Sequence, residues 1–193
     1  MSDPYGLTTE HVRLAMQDFL GFLGVVNGQL HENGMLLLEA VTMPANFSSI
    51  VGEFIISSIP RHCVKLVKNL YHNGHPDLIP AGRYEGNSVQ HADQGIEVKS
   101  SRYASGWQGH NPEDTWLMVF VFDSSRPRDL MTRTGGVGDA LKPFRFRRVL
   151  GARLQESDWN FAGRREGSRR TITASVVPSG YEKMEENWIY WAD

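Results

Sequence analysis

The sequence has one cysteine and no apolar run of the roughly 20 residues that a membrane-spanning helix needs. Because Cys63 is the only cysteine, the chain can form neither an internal disulfide nor a zinc site built from several cysteines. The Gly-x-Ser-x-Gly pattern of a serine hydrolase is absent, and the glycine-rich segment 135–138 lacks the Lys-Ser/Thr ending of a nucleotide-binding P-loop. The start is acidic, unlike a secretory signal, so we expect a cytoplasmic protein with no membrane contact.

The net charge is only −2, but basic residues are concentrated in one part of the chain. Residues 126–170 contain twelve Lys and Arg against five Asp and Glu. A basic segment beside an acidic remainder is typical of a face that binds a polyanion. A solvated strand surface has the same composition, so both interpretations stay open at this point.

Three amphipathic helices are predicted in the first third of the chain. Apolar residues recur at helical spacing in residues 8–28, 47–55 and 63–70. Thr8 or Thr9 is a suitable N-cap for the first helix and Asn46 for the second, which Pro60 is expected to interrupt. The apolar run 35–43 is too short to be assigned to helix or strand.

After Gly74 the pattern changes to short runs that favour strands. The predicted strands are residues 77–84, 95–101, 115–123, 144–154 and 171–177. A closing helix is predicted from a stripe of four residues, Tyr181, Met184, Trp188 and Trp191. These elements predict a single domain over residues 1–193 of the α/β (α+β) class, with a helical N-terminal third followed by a sheet.

One predicted strand carries an acid and a base on the same face. In residues 95–101, the period of two places Ile96 and Val98 towards the core and Glu97 and Lys99 on the opposite side. Upstream, Asp77 begins a strand that can pair with this one through a turn at residues 86–87. The two carboxylates are therefore expected to converge.

Two converging carboxylates beside a lysine suit phosphodiester hydrolysis. Mg²⁺ prefers carboxylate oxygens, a backbone carbonyl and water, and it polarises phosphoryl oxygen. Asp77 and Glu97 supply the carboxylates, and the carbonyl of Val98 completes the protein's share of the ligands. Lys99 can orient the attacking water or stabilise the developing negative charge, and the sequence leaves both roles open. Mn²⁺ is expected to substitute for Mg²⁺.

Pro76-Asp77 followed by Glu97-Val98-Lys99 resembles the signature of the PD-(D/E)XK nuclease superfamily, over roughly residues 50–122. The resemblance implies a restriction-endonuclease-like mixed β-sheet flanked by helices, a divalent metal and DNA as substrate. The superfamily often adds an acidic residue from a helix before the first strand. Glu53 is the first candidate for this extra metal ligand, and Glu39 is the second.

Other acids lie between the two halves of the motif. Glu85 and Asp93 are alternatives to Asp77 as the partner of Glu97. Asp77 is preferred because a proline precedes it and apolar residues follow it. Three histidines near the motif, His72, His75 and His91, fit no recognised ligand spacing and are interpreted as loop or surface residues.

Side chains for DNA contact are expected in two places. Ser101 and Arg102 directly follow the motif, and Arg145 and Arg147 alternate with phenylalanines so that a strand presents both guanidiniums together. Four further arginines flank a glycine-containing turn that suits entry into a groove, namely Arg164, Arg165, Arg169 and Arg170.

The sequence therefore predicts a Mg²⁺-dependent endonuclease that cuts double-stranded DNA. Because one active site cuts one strand, a homodimer with twofold symmetry matches the duplex, and a type II restriction-like enzyme is the expected kind. One alternative is a non-catalytic DNA-binding or assembly module that retains the nuclease fold. Another is an α+β binding protein in which Glu97 and Lys99 form only a surface ion pair.

Overall fold

The computed structural model describes residues 4–109, 112–126, 143–162 and 173–192. Three helices come first: α1 (Thr9–Glu32), α2 (Leu38–Val41) and α3 (Pro44–His62). The strands that follow are β1 (Leu66–Lys68), β2 (Leu78–Pro80), β3 (Ile96–Ser101), β4 (Gln108–Gly109), β5 (Thr115–Asp123), β6 (Arg145–Leu154), β7 (Trp159–Ala162) and β8 (Thr173–Val176). Helix α4 (Pro178–Glu186) and strand β9 (Trp188–Trp191) complete the described chain.

The main sheet has six strands in the order β1-β2-β3-β5-β6-β9. Strands β3 and β5 run parallel, and every other neighbouring pair is antiparallel. A second, antiparallel sheet has the order β4-β8-β7. The protein is thus of the α+β class that the sequence predicts, with a mixed, mostly antiparallel sheet and helices packed on it.

Helices α1 and α3 pack together on one face of the main sheet. Phe19 of α1 lies in the centre of this layer, with ring centroids 5.5 Å from Phe54 of α3 and 5.0 Å from Phe144. Alternate residues of the central strands point into the same core, among them Val98 and Phe120. Burial of these aromatic and aliphatic side chains fixes the orientation of β3, the strand that carries the acid and base.

The opposite face of β5 and β6 is covered by the small sheet and α4. Leu117 and Val119 of β5 pack there against Trp159 of β7 and Met184 of α4. Strand β5 is therefore covered on both faces, as its continuously apolar sequence predicts. No helix in the described ranges combines the length and the apolar composition of a transmembrane segment.

The predicted N-terminal helices are partly correct. Thr8 caps α1 as expected, because its side chain accepts a hydrogen bond from the His11 amide. Helix α3 begins at Pro44, not after Asn46, and it continues past Pro60 to His62. Proline is tolerated as the first residue of a helix, where no amide is needed, and Pro60 is only two residues from the end. The run 35–43 contains the one-turn helix α2.

Two predicted helices are wrong in whole or part. Residues 63–70 contain the short strand β1 and no helix, since Leu66 and Lys68 pair with Pro80 and Leu78 of β2. Helical spacing in this segment is coincidental, because Leu70 is 65% exposed and joins no buried stripe. The closing helix ends at Glu186, and Trp188 and Trp191 belong to the edge strand β9.

The predicted strands are confirmed, with shorter bounds in some cases. Strand β5 has the predicted limits, and β3 and β6 each begin one residue later than predicted. Strand β8 ends one residue earlier than predicted, and its predicted first residues, 171 and 172, lie outside the described residues. Strand β2 is reduced to Leu78–Pro80, because the chain leaves the sheet at Ala81 and returns only at β3. The small strand β7 was not predicted.

The helix layer can be tested by removing Phe19. We expect Phe19→Ala to lower the free energy of unfolding by about 3–5 kcal/mol, because the cavity would lie where α1, α3 and the sheet meet. Phe161→Ala is the matched control, since Phe161 is 46% exposed, and we expect about 1 kcal/mol for it. Urea unfolding of both variants measures the difference, and equal losses would contradict this description of the core.

Candidate functional site

Asp77 reaches the site because β2 and β3 are antiparallel neighbours. Leu78 pairs with Ile96, so Asp77, just before β2, lies beside the first residues of β3. An oxygen of Asp77 accepts a hydrogen bond from the Val98 amide at 2.8 Å. The connection between the strands turns at Gly86 and Asn87, which have φ values of 60° and 53°. The predicted convergence of these strands is thus present, with a longer loop than a tight hairpin.

Glu97 and Lys99 occupy the face of β3 that points away from the helices. Ile96 and Val98 are buried in the helix-side core, so the alternation of the strand turns Glu97 and Lys99 to the other side. The Lys99 ammonium donates a hydrogen bond to Oε1 of Glu97. Glu97 is only 9% exposed. The acid and base therefore form a buried pair, which does not fit the interpretation of a surface ion pair.

Asp77, Glu97 and Lys99 line one large cleft. Its volume is about 830 Å³, and it lies between the β2–β3 pair, the loop around His72 and the small sheet. Its remaining lining side chains include charged and aromatic groups, among them Glu53, Lys68, His75, His91, Glu113 and Trp159. The cleft is wide enough to admit a ligand larger than water, and its walls are largely polar.

His75 and Glu113 also belong to the site, although the sequence analysis did not assign them to it. The His75 ring lies between two carboxylates, with Nδ1 3.0 Å from Oε2 of Glu97 and Nε2 3.3 Å from Oε2 of Glu113. The ring also stacks on His91, with 5.5 Å between centroids. The available signal was the closeness of His75 to the motif, two residues before Asp77 in the sequence.

The charges of the cleft are strongly coupled. Burial and the neighbouring charge of Glu97 raise the pKa of Asp77 to about 7. Burial also opposes ionisation of Glu97, but the hydrogen bond from His75 and the charge of Lys99 outweigh it and lower the pKa of Glu97 to about 2. For His75 and Lys99, the contacts with Glu97 outweigh burial and raise the pKa. At neutral pH, Glu97 is thus ionised and Asp77 is near its titration midpoint.

The structure distinguishes among the other acidic candidates. Glu53 lies on the wall of the cleft, where its Oε2 is 2.7 Å from the Lys68 ammonium. Glu39 is buried elsewhere and accepts a hydrogen bond from Asn27, so it is not available as the upstream acid. The alternatives to Asp77, Glu85 and Asp93, are exposed and do not line the cleft.

Val98 takes part through its backbone. Its side chain is buried in the helix-side core, and its amide binds Asp77. The role of its carbonyl as a metal ligand stays a prediction.

The predicted DNA-contacting residues near the motif differ in environment. Ser101 is half-buried, and its hydroxyl accepts a hydrogen bond from the Tyr103 amide. The Arg102 guanidinium lies 5.3 Å from the ring centroid of Phe47 and 5.3 Å from that of Phe122. It also donates to two backbone carbonyls after β5. These contacts favour a structural role for Arg102 over phosphate binding.

The other predicted DNA-contacting arginines are further along the chain. Arg145 and Arg147 are exposed and share the carboxylate of Asp123, with N–O distances of 3.3 and 2.8 Å. The two guanidiniums are therefore presented together, as the alternation with phenylalanine predicts. The last four arginines, Arg164, Arg165, Arg169 and Arg170, lie outside the described residues.

No family model, curated protein or solved structure matches the chain. The functional argument therefore depends on the geometry and electrostatics of the cleft.

The raised pKa of Asp77 predicts a pH-dependent stability in the absence of divalent cations. The pKa of a free aspartate is 3.8, so between about pH 4 and pH 7 the folded state retains a proton that the unfolded state has lost. Stability therefore falls as the pH rises through this window. We expect the wild type to lose roughly 2–3 kcal/mol more than Asp77→Asn between about pH 5 and pH 8.

Urea unfolding in EDTA measures this difference. Asp93→Asn is the matched control, because Asp93 is exposed in a loop and should retain the wild-type pH dependence. If Asp77→Asn and the wild type lose stability in parallel, the carboxylate of Asp77 is not held in the proposed environment.

Proposed function

We propose that this protein is a Mg²⁺-dependent endonuclease that hydrolyses phosphodiester bonds of double-stranded DNA, with a restriction-endonuclease-like domain. The observation that carries the proposal is the meeting of Asp77 and Glu97 with Lys99 inside one deep cleft. A common surface ion pair would be exposed and would lack the second carboxylate. The proposed activity is of the type II restriction kind.

The charge balance of the cleft supports a requirement for a cation. Glu53 is paired with Lys68, and Glu97 is paired with Lys99. Asp77 forms no ion pair with a basic side chain in the part of the chain that the structure describes; it accepts a hydrogen bond from the Val98 amide and shares one with Glu97, while burial disfavours its charge. A polyanionic substrate would add further negative charge to this corner. A bound divalent cation would remove the conflict, as a proton does in its absence.

The donor set fits magnesium better than a metal that needs many protein ligands. Within the described ranges, no group of three or more His, Cys, Asp or Glu side chains has the arrangement of a metal site. Mg²⁺ usually retains several waters and binds to one or two carboxylates together with substrate phosphate. Asp77 and Glu97, with the carbonyl of Val98, would hold it, and Glu53, on the wall of the same cleft, is the acid proposed as a further ligand. When bound, the cation would polarise the phosphate and activate water.

Lys99 would act on the reacting phosphate. Its ammonium is held at Glu97, and contact with carboxylates keeps it protonated despite burial. A protonated lysine in a partly dry cleft stabilises the negative charge that develops on the phosphoryl oxygens. A role as general base would require a lowered pKa, so charge stabilisation or orientation of water is the better assignment.

Double-stranded DNA is proposed as the substrate on the evidence of the resemblance and the basic segment. Arg145 and Arg147 present two neighbouring guanidiniums, and phosphate would compete with Asp123 for them. Because one active site cuts one strand, we propose a homodimer on a twofold axis. The alternative of a non-catalytic DNA-binding or assembly module with the same fold predicts binding without turnover.

Plasmid cleavage tests the proposed activity directly. We expect the wild type to linearise or nick plasmid DNA with Mg²⁺ or Mn²⁺ and to be inactive in EDTA. Lys99→Ala should reduce the cleavage rate by about 100-fold or more, because it removes a charge that stabilises the transition state. Asp77→Asn and Glu97→Gln should reduce it at least as much, because each removes an anionic metal ligand.

Lys65→Ala is the matched control, since Lys65 is exposed and does not line the cleft. If the wild type and Lys99→Ala retard DNA in a gel with equal affinity and neither protein cleaves it, the non-catalytic module is favoured. Absence of both cleavage and salt-dependent DNA binding would contradict the proposal.

The proposed dimer is tested separately by sedimentation velocity. The chain has a mass of 21.8 kDa. We expect a species with twice this mass, either without DNA or bound to a short DNA duplex. A monomer that cuts only one strand of the plasmid would retain the nuclease activity and contradict the twofold arrangement.

A further inference from the structure

A continuous chain of polar contacts runs through the cleft from Lys99 to Glu113. Lys99 donates to Oε1 of Glu97, and Nδ1 of His75 lies 3.0 Å from Oε2 of the same carboxylate. Both oxygens of Glu97 are therefore engaged, which fixes the plane of the carboxylate. Nε2 of His75 lies 3.3 Å from Glu113, so the imidazole is held from its other side as well.

His75 is itself rigidly placed. Its amide donates to the Gln90 carbonyl at 2.9 Å, and its carbonyl accepts from the Ala92 amide at 2.8 Å. The ring stacks on His91 at an interplanar angle of 18°. A side chain with a hydrogen-bonded backbone, a stacked ring and both ring nitrogens within 3.3 Å of a carboxylate oxygen has little freedom to reorient.

Glu113 connects this chain of contacts to the small sheet. The Trp159 indole of β7 donates to the Glu113 carbonyl at 3.0 Å, and Trp159 also lines the cleft. The Glu113 side chain is 21% exposed, as is that of His75. A further carboxylate near Asp77 and Glu97 is electrostatically unfavourable unless the imidazole between Glu97 and Glu113 carries a positive charge.

We propose that His75 and Glu113 are positioning residues that hold the Glu97 carboxylate in place for a divalent cation and Asp77. This inference rests on the proposed function, because it assigns a role to residues around the same metal site. Hydrogen-bond partners of metal ligands orient those ligands, and their loss costs about 10–100-fold in metal affinity or activity. His75 acts through Glu97 and contacts no reacting atom.

The primary measurement is calorimetric titration of the intact, metal-free protein with Mn²⁺. We expect His75→Ala to weaken Mn²⁺ binding by about 10–100-fold, because it removes the contact with Glu97, and Glu113→Gln by about tenfold, because it removes the charge that holds the imidazole from its other side. His75→Asn retains a donor at the position of Nδ1 and should recover most of the affinity that His75→Ala loses. His31→Ala is the matched control, because His31 is exposed at the end of α1.

Cleavage supplies a second readout that a purely structural role would not move. Plasmid cleavage by His75→Ala should recover as the Mn²⁺ concentration is raised, whereas that of Lys99→Ala should not. Thermal unfolding identifies any variant that is not folded, and the nearly isosteric Glu113→Gln then carries the test.

The outcomes separate this inference from the function on which it rests. If His75→Ala and Glu113→Gln both bind Mn²⁺ as tightly as the wild type does, and the wild type binds Mn²⁺ and cleaves DNA, only the positioning role is overturned. If the wild type neither binds Mn²⁺ nor cleaves DNA, the proposed function fails as well. Weakened binding in His75→Ala with recovery in His75→Asn supports the inference.

Discussion

The carboxylates of Asp77 and Glu97 meet where β2 joins β3, and burial at this corner makes a second negative charge costly. One carboxylate is satisfied by Lys99 and His75 and stays ionised. The other has the Val98 amide as its main partner and takes up a proton near neutral pH. The proposed binding of a divalent cation follows from this arrangement, because a cation would offset the second negative charge.

The fold supports this corner from both sides. On one side, α1 and α3 bury alternate residues of β3 and β5, so Glu97 and Lys99 are forced to the opposite face. On the other side, the small sheet and α4 cover β5 and β6, and the cleft lies next to them, where Asp77, Glu97 and Lys99 line it. The position of the acidic pair is thus a consequence of core packing, and the helix layer reaches the cleft only at its wall, through Glu53 and Ile56 of α3.

Sequence reasoning identified the alternation at residues 96–99 because the period of a strand determines which side chains share a face. It also identified the buried strand β5 from its continuous apolar run. It missed the roles of His75 and Glu113, since their meeting depends on the packing of β7 against the cleft. It misassigned β1 and β9 as helices, because apolar residues spaced three and four apart in a short segment also occur in strands. Both segments are strands here because they pair with a neighbouring strand, β1 with β2 and β9 with β6.

The most direct test of the central claim is a crystal structure with Mn²⁺ soaked in and its anomalous scattering recorded. We expect one strong anomalous peak bound by both Asp77 and Glu97. Absence of a peak at this position at saturating Mn²⁺ and neutral pH, with Glu97 still bound to Lys99 and His75, would contradict the proposal.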